Sequence, residues 1–259
     1  MALLTVDKLS MSFSGLKAVS NLDMELNEGE LVGLIGPNGA GKTTVFNMLT
    51  GVYVPTDGSI FFNDNNKNKR INGIPTYKLS HMGIARTFQN IRLFGDLTVI
   101  ENVKIAYHQH VSYNMVSGML RLPTFSKGEK EMEEKAMAFL KIFGLDDKAQ
   151  ELAKNLPYGQ QRRLEIARAL ATKPTLLLLD EPAAGMNPYE THNLMELIRW
   201  IRKEFDLTIL LIEHDMSLVM GVCERIYVLD YGIAIAHGTP DEIKSNPRVI
   251  EAYLGEEAI

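Results

Sequence analysis

Residues 36–44, GPNGAGKTT, combine glycines, a lysine and hydroxyl side chains in the spacing of a phosphate-binding loop. An apolar strand pattern precedes the stretch, and a helical pattern that ends at Gly51 follows it. Glycines let consecutive backbone N–H groups curve around an anion, and the N-terminus of the following helix adds its positive dipole. Lys42 would place a charge at the outer phosphates, and Thr43 would offer a hydroxyl to Mg²⁺. The predicted phosphate contacts are Gly36, Pro37, Asn38, Gly39, Ala40, Gly41, Lys42, Thr43 and Thr44.

Two adjacent carboxylates end a second apolar run, TLLLLDEP at residues 175–182. Asp180 fits the role of a carboxylate that holds Mg²⁺ beside bound nucleotide. Glu181 lies on the opposite side of the chain, where a carboxylate can orient and deprotonate a water that attacks the γ-phosphate. A glutamate after a strand is by itself more often a surface residue, but its pairing with Asp180 favours the catalytic interpretation.

A third apolar run, LTILLIEHD at residues 207–215, ends in Glu213, His214 and Asp215. His214 lies at the carboxyl end of a predicted parallel strand, which is the edge where ligands bind in open α/β sheets. It could donate a hydrogen bond to a γ-phosphate oxygen. Adjacent residues on a strand point to opposite faces, so the three side chains are not expected to converge on one site.

Alternating apolar runs and amphipathic helices predict an α/β fold with a buried parallel sheet. Residues 224–238 are typical of a hairpin around Gly232. Residues 63–73, NDNNKNKRING, are predicted to form a solvated loop, with a functional basic patch as the less favoured alternative. Residues 98–145 are mainly helical in pattern and are interrupted by MVSGMLRLPTF, which could be core or a patch that contacts a partner.

Composition limits the possible functions. The chain has 259 residues, 46% hydrophobic and 23% charged, with a net charge of -5. The acidic balance argues against nucleic-acid binding, and the single cysteine excludes an internal disulfide and favours a reducing compartment, hence the cytoplasm. No apolar run reaches the roughly 20 residues that a membrane span needs, and the N-terminus does not have the pattern of a signal peptide. Work at a membrane would therefore require a membrane partner.

The order of these motifs resembles that of ATP-binding cassette (ABC) transporter ATPases over essentially the whole chain. The strings GPNGAGKTTVFNMLTG, ARTFQNIRLF, TVIENV, YGQQRRLEIARAL, DEPAAGMNP, LLIEHDM and AYLGE together are similar to ATPase subunits of high-affinity branched-chain amino acid importers, the LivG type. The resemblance implies a P-loop NTPase (RecA-like) core with an antiparallel β-subdomain and an inserted helical subdomain. The implied division is a single nucleotide-binding domain, 1–259, with the core in 1–89 and 172–259 and the helical subdomain in 90–171.

The same resemblance implies further site residues. Phe13 corresponds to an aromatic that stacks on adenine, although a core phenylalanine at a strand end is the alternative; such stacking contributes on the order of 1–3 kcal/mol. Gln89 corresponds to a glutamine that senses the metal and the γ-phosphate and links the site to the membrane partner. The resemblance also implies that the signature, residues 156–160, begins a helix whose N-terminus faces ATP held by a second subunit. The implied nucleotide contacts of the signature are Leu156, Tyr158, Gly159 and Gln160. Asn187 is a further implied contact, from the loop that communicates between the two sites.

Two residues depart from the general family pattern. Pro157 and Tyr158 stand where Ser and Gly are usual in the signature, and Asn187 stands where Asp is usual. Tyr158 and Asn187 fit the branched-chain type. Pro157 offers neither a hydroxyl nor an N–H, so the contact to the second subunit's nucleotide is expected to be weaker here than with the usual serine.

The implied partners are a second ABC ATPase, as a homodimer or a heterodimer, two transmembrane permeases and an extracytoplasmic substrate-binding protein. The implied location is the cytoplasmic face of the cell membrane, and the implied ligands are ATP and Mg²⁺. A urea or amide importer ATPase is the close alternative, and a lipopolysaccharide-export ATPase fits less well. A DNA-repair or chromosome ATPase would need a long coiled coil between Lys42 and Gly159, for which there is no room. A plain P-loop kinase would lack the signature.

Overall fold

The computed structural model describes residues 1–64, 67–111, 119 and 123–257. The strands are β1 (Ala2–Phe13), β2 (Leu16–Asn27), β3 (Leu31–Ile35), β4 (Asp57–Asp64), β5 (Lys67–Arg70), β6 (Ile84–Arg86), β7 (Leu176–Asp180), β8 (Thr208–Ile212), β9 (Arg225–Asp230) and β10 (Ile233–Gly238). The α-helices are α1 (Lys42–Leu49), α2 (Thr76–His81), α3 (Val99–Tyr107), α4 (Pro123–Ile142), α5 (Tyr158–Ala171), α6 (Pro188–Glu204), α7 (Met216–Val222), α8 (Pro240–Lys244) and α9 (Pro247–Glu257).

Contacts divide the chain into two compact units, one of Met1–Gln89 with Thr175–Ile259 and one of Asn90–Pro174. The sequence placed the second boundary at 171/172, three residues earlier. The difference arises because Thr172 and Lys173 belong to the helical unit: the Thr172 carbonyl accepts a hydrogen bond from Gln109 at 2.8 Å, and the Lys173 ammonium lies 5.1 Å from the centre of the Tyr107 ring.

The first unit holds two sheets. A six-stranded sheet has the order β10-β9-β3-β8-β7-β6, and it is parallel except for β10, which forms a hairpin with β9. Every residue of β3, β7 and β8 is buried, as expected of strands covered on both faces. The predicted α/β class, the parallel sheet and the terminal hairpin are confirmed.

A four-stranded antiparallel sheet, in the order β2-β1-β4-β5, forms the second layer of this unit. The apolar core contains side chains from both sheets and from α1, among them Leu9, Leu22, Phe46, Leu178 and Leu210. Helix α1 is therefore held on both sides, which fixes the loop that precedes it.

The predicted loop at residues 63–73 is wrong in part. Residues 67–70 form the edge strand β5, which pairs with β4, and the Asn72 side chain accepts a hydrogen bond from the Ile60 N–H at 2.8 Å. All four β5 side chains are exposed, so the segment is solvated as expected. Its pairing comes from backbone groups, which a polar composition does not reveal.

The second unit is helical. Helices α3, α4 and α5 pack on one another through apolar side chains such as Val103, Ala136, Leu140 and Leu164. Helix α3 begins with a capping box between Thr98 and Glu101. The stretch MVSGMLRLPTF falls mostly outside the described residues. Among the residues that are described, no helix is both long and apolar enough to cross a membrane.

Candidate active site

The glycine-rich loop connects the buried strand β3 to helix α1. Gly36 and Gly41 have φ angles of 149° and 100°. A Cβ atom at Gly36 would lie 2.0 Å from the Leu229 carbonyl oxygen, and one at Gly41 would lie 2.5 Å from the Ala18 carbonyl oxygen. Both positions therefore need glycine, for backbone conformation and for space.

Lys42 is the first residue of α1 and is buried. Its ammonium donates hydrogen bonds to the carbonyl oxygens of Gly36, at 2.6 Å, and Pro37, at 2.8 Å. The loop thus closes around a positive charge at the N-terminal end of a helix. Both features attract an anion to the same place.

Asp180 ends β7, and its side chain is only 3% exposed. The Arg86 guanidinium, at the end of β6, donates a hydrogen bond of 2.5 Å to Asp180 Oδ2. Arg86 also donates to Asn47 Oδ1 at 2.7 Å and to Thr50 Oγ1 at 3.3 Å. Asn47 belongs to α1 and Thr50 caps its C-terminus, so the guanidinium connects the carboxylate to the helix behind the phosphate loop.

Glu181, Gln89 and His214 come together next to this carboxylate. The Gln89 side-chain amide donates to Glu181 Oε2 at 2.8 Å, and His214 Nδ1 lies 3.7 Å from the same oxygen. The Glu181 side chain is 19% exposed and the His214 side chain 65%, so water can reach both. Three residues that are far apart in the sequence thus form one cluster at the carboxyl edge of the sheet.

Glu213 is a buried carboxylate that supports this cluster. Oε1 accepts a hydrogen bond from the Ala183 N–H at 2.7 Å, and Oε2 accepts one from the His214 N–H at 3.1 Å. Burial raises the pKa of the Glu213 carboxyl above its usual range, although these backbone donors lower it in part. The side chain ties the end of β8 to the loop that follows Glu181. Asp215 instead caps α7 by accepting from the Ser217 and Leu218 N–H groups. Glu213, His214 and Asp215 all lie beyond the end of β8, so strand alternation does not separate them, and His214 Nδ1 lies 3.9 Å from Glu213 Oε2.

Phe13 ends β1, and 39% of it is exposed. Its ring meets Tyr53 edge-to-face, with centroids 5.3 Å apart and planes at 74°. An exposed aromatic that is fixed by a second ring presents a surface on which a planar ligand can stack.

The signature residues lie in the helical unit, at the start of α5. Pro157 is the N-cap residue, and no side chain caps the helix. The Tyr158 and Gly159 N–H groups stand in the first turn, where an α-helix has no internal acceptor for them. The Gln160 side chain accepts from Lys148 at 3.0 Å. Leu156 is buried, and its carbonyl accepts from the Gln161 side chain at 2.8 Å.

A buried ion pair supports the signature helix. Arg162 and Glu165 have side chains 0% and 1% exposed, and Arg162 Nη1 lies 2.7 Å from Glu165 Oε2. Arg162 Nη2 also donates to the Tyr158 hydroxyl at 3.4 Å, and Glu165 Oε1 accepts from the Arg92 N–H at 3.3 Å. The pair thereby joins the first residue of α5 to the chain just after residue 89.

Asn187 has a structural role. It caps α6 in a capping box, in which its Oδ1 accepts from the Glu190 N–H at 3.0 Å and its own N–H donates to Glu190 Oε2 at 3.0 Å. Aspartate would cap equally well, so the departure from the family pattern preserves the helix start.

The oxygen atoms of Asp180, Thr43 and Gln89 are suitable ligands for a magnesium ion that arrives with nucleotide. Among the described residues, no group of three or more His, Cys, Asp or Glu side chains could hold a metal. Asp180, the Thr43 hydroxyl and the Gln89 amide are too few for a site built from protein alone. Mg²⁺ commonly binds one or two carboxylates and completes its coordination with phosphate oxygens and water, which suits this donor set.

Comparison with known proteins identifies the family. A family model described as "ABC transporter" matches residues 19–184. The chain belongs to the ABC transporter family. A second model, "Branched-chain amino acid ATP-binding cassette transporter", matches residues 235–259. As an ATP-binding cassette of this family, the protein is an ATPase.

Individual relatives agree with this assignment. The chain is 52% identical to the high-affinity branched-chain amino acid transport ATP-binding protein LivG of Salmonella typhimurium, over 98% of each chain. An ATP-binding cassette of an ABC transporter, solved in its ADP conformation, has a TM-score of 0.84 and 31% identity, with 98% of this chain and 99% of that chain covered. A dimeric cassette bound to ADP and Pi has a TM-score of 0.75 and 26% identity, with coverage of 92% and 98%.

Sequence reasoning did not identify Arg86 or Glu213 as site residues. Arg86 ends the short apolar run IAR, and Glu213 directly follows the buried strand β8. A charged residue in or next to a buried strand requires a polar or oppositely charged partner. Their positions beside apolar strands could therefore have identified Arg86 and Glu213 from the sequence.

Proposed function

We propose that this ABC protein is the ATP-hydrolysing subunit of an importer of branched-chain amino acids. The observation that carries the proposal is 52% identity to LivG over 98% of both chains. The match of residues 235–259 to the branched-chain family model supports it independently, because that segment lies beyond the general ABC match at 19–184.

In the proposed mechanism, the loop at residues 36–44 and the N-terminus of α1 bind the triphosphate. Lys42 neutralises the outer phosphates, and Phe13 stacks on adenine. Thr43, Gln89 and Asp180 would hold Mg²⁺, which would supply positive charge to balance the charge of the triphosphate. Glu181 accepts a proton from the attacking water.

Gln89 and His214 orient the reacting groups in this scheme. The Gln89 amide holds Glu181 Oε2 at 2.8 Å and so sets where its second oxygen can meet water. His214 is mostly exposed and lies at the same carboxylate, where it can donate a hydrogen bond to a γ-phosphate oxygen. Glu213 fixes the backbone of His214 and Ala183 and thereby limits the movement of both catalytic segments.

The signature acts on a second subunit in this proposal. The N-terminus of α5, at Tyr158 and Gly159, would complete the nucleotide site of another cassette, with Leu156 and Gln160 supporting it. The dimeric relative bound to ADP and Pi supports a paired working state. Asn187 would lie in the loop that connects the two sites.

The proposed assembly contains a second ABC ATPase, identical or related, two permeases and a substrate-binding protein. The cassette would lie at the cytoplasmic face of the membrane through its contacts with the permeases. The compact helical unit at residues 90–174 supports a transporter over a DNA-repair ATPase, since it leaves no room for a long coiled coil.

The test is substrate-stimulated hydrolysis in the assembled transporter. The cassette would be reconstituted in proteoliposomes with its permeases and binding protein, and phosphate release would be measured with leucine, isoleucine, valine or urea. We expect stimulation by the branched-chain amino acids. Stimulation by urea or a short amide alone would replace the amino acid proposal with the alternative substrate class and leave the ATPase assignment intact.

Replacing Lys42 by alanine should weaken MgATP binding by about 10-fold to 150-fold. A hydrogen bond to a charged group contributes roughly 1.5–3 kcal/mol, and Lys42 is the positive side chain within the phosphate loop. Isothermal titration calorimetry would measure the change. Lys244→Ala, at the exposed end of α8, removes the same charge and should leave the affinity unaltered. Equal affinity of Lys42→Ala and the unmodified protein would contradict the loop assignment.

Replacing Pro157 by serine should strengthen ATP-dependent pairing or leave it unchanged. Proline provides the helix start but neither an N–H nor a hydroxyl, whereas serine is a favoured N-cap residue whose hydroxyl could also reach phosphate. Sedimentation of a hydrolysis-deficient variant with ATP would report the pairing equilibrium. Pro157→Ala separates the loss of the ring from the gain of the hydroxyl. Weaker pairing for Pro157→Ser than for the unmodified protein would be the contrary result.

A further inference from the structure

The Arg86–Asp180 pair places a full positive charge beside the proposed magnesium carboxylate. The Arg86 side chain is 8% exposed and that of Asp180 is 3% exposed, so water screens the pair weakly. Removing an ionised carboxylate from water is costly unless a counter-charge and hydrogen bonds replace the water. Arg86 supplies both within the protein itself.

The guanidinium is held on several sides. Its carbon lies 5.5 Å from the centre of the Phe46 ring and 5.1 Å from that of Phe88. Nη1 donates to Asn47 at 2.7 Å, while Nη2 donates to Asp180 at 2.5 Å. Arginine suits this position because its planar fork can bind two acceptors while its faces lie against aromatic rings.

The two oxygens of Asp180 have different surroundings. Oδ2 accepts the Arg86 hydrogen bond, whereas Oδ1 accepts none from any residue that the structure describes. Arg86 therefore orients the carboxylate by one oxygen and leaves the other for a further ligand. The nearby protein donors alone are too few to hold a divalent cation, as the lack of any three-residue cluster of ligands in the described chain indicates.

We infer that Arg86 is a positioning residue that makes metal binding at Asp180 depend on nucleotide. This inference rests on the proposed role of Asp180 as a magnesium residue. The guanidinium cancels the charge of Asp180, so a free divalent cation gains little by binding there. A cation that arrives with ATP brings phosphate oxygens, which complete its coordination and offset the repulsion by Arg86. The site then fills only when its substrate is present.

Binding of Mn²⁺ to nucleotide-free protein tests the inference, with electron paramagnetic resonance as the readout. The unmodified protein should bind Mn²⁺ at this site only weakly, at millimolar concentration or above. Arg86→Gln leaves the Asp180 charge uncompensated and should bind Mn²⁺ at least about tenfold more tightly, because a repelling charge within a few ångströms is removed. Arg86→Lys keeps the charge and should restore weak binding.

A double variant identifies the ligand. Arg86→Gln combined with Asp180→Asn removes both charges and should lose the Mn²⁺ affinity that Arg86→Gln gained. Circular dichroism and thermal melting would establish that each variant is folded. A folded Arg86→Gln variant without tighter Mn²⁺ binding would overturn the inference. So would a double variant that binds as tightly as Arg86→Gln.

Two further measurements keep the inference testable if Arg86→Gln does not fold. Tight, micromolar Mn²⁺ binding by the nucleotide-free unmodified protein, lost in Asp180→Asn, would overturn it directly. The affinities of Asp180→Asn for ATP with and without Mn²⁺ then test the metal role of Asp180 separately from the role of Arg86. If Asp180→Asn does not lower the contribution of Mn²⁺ to ATP binding, the proposed metal role of Asp180 is itself wrong. If Asp180→Asn does lower that contribution, the metal role of Asp180 stands, and tight Mn²⁺ binding by the nucleotide-free unmodified protein would count against Arg86 alone.

Discussion

Replacing Glu181 by glutamine should slow ATP hydrolysis by about 10²–10⁴-fold, which is the usual contribution of a positioned general base. The amide cannot accept a proton from water at neutral pH, but it has nearly the same shape as the carboxylate. ATP binding should persist, because the loop at residues 36–44 and Lys42 are untouched. The Gln89 contact, 2.8 Å in the unmodified protein, can be retained through the amide oxygen.

Single-turnover phosphate release in the assembled transporter measures this effect, and calorimetry on the isolated cassette measures ATP affinity. Glu204→Gln is the matched control, since it makes the same chemical change at the exposed C-terminal residue of α6. Its turnover should equal that of the unmodified protein. Near-normal turnover of Glu181→Gln would remove Glu181 from the role of base and leave water activation to another group.

The backbone at Glu181 bears on this prediction. Its φ angle is 45°, a left-handed conformation that is uncommon for a side chain other than glycine. Such conformations cost of order 1–3 kcal/mol and persist where surrounding contacts impose them. Here the Glu181 N–H donates to the Ile212 carbonyl at 2.9 Å, and Glu213 holds the Ala183 N–H. Glutamine meets the same conformational cost as glutamate, so the substitution isolates the chemistry.

Local patterns were sufficient to predict much of the fold. The phosphate loop could be located because its glycines, its lysine and its flanking strand and helix are contiguous in residues 30–51. The buried strands β7 and β8 could be located because strands covered on both faces are continuous apolar runs. The expectation that Asp180, Glu181 and His214 lie together followed from a general rule, since the carboxyl ends of parallel strands meet at one edge of the sheet. Gln89 was expected there from the family resemblance alone.

Features that depend on distant partners could not be predicted in the same way. The edge strand β5 has a polar sequence and pairs only because β4 presents backbone groups to it. Arg86 was not recognised because its partner, Asp180, is 94 residues away, and no local spacing connects them. The cap at Asn187 is different, because its partner Glu190 follows only three residues later and the pattern is visible in the sequence. It was not predicted because Asn187 was interpreted only as a nucleotide contact implied by the family resemblance.

Replacing Gly159 by aspartate should abolish ATP-driven pairing and transport while ATP binding to the isolated cassette stays intact. Gly159 is the second residue of α5, whose N-terminus is proposed to face the γ-phosphate held by a second subunit. A carboxylate there would be brought against a highly charged phosphate in a closed interface with little screening water. Like charges at such a distance repel by several kcal/mol in a partly desolvated setting.

The same substitution should not unfold the protein, which makes the prediction specific. An acidic residue in the first turn of a helix interacts favourably with the helix dipole, typically by 0.3–1 kcal/mol. Aspartate also has a higher helix propensity than glycine. We therefore expect the melting temperature of the isolated cassette to stay the same or rise, while closure of the pair is lost.

Two neutral substitutions separate charge from size. Gly159→Asn has the shape of aspartate without its charge, and Gly159→Ala adds only a methyl group. We expect alanine to impair pairing least, asparagine to be intermediate and aspartate to be inactive, as measured by sedimentation with ATP and by transport in proteoliposomes. The decisive comparison is ATP affinity in the isolated cassette. If Gly159→Asp destroyed it, the signature would act on its own subunit's nucleotide, and the proposal that it completes a second subunit's site would be wrong.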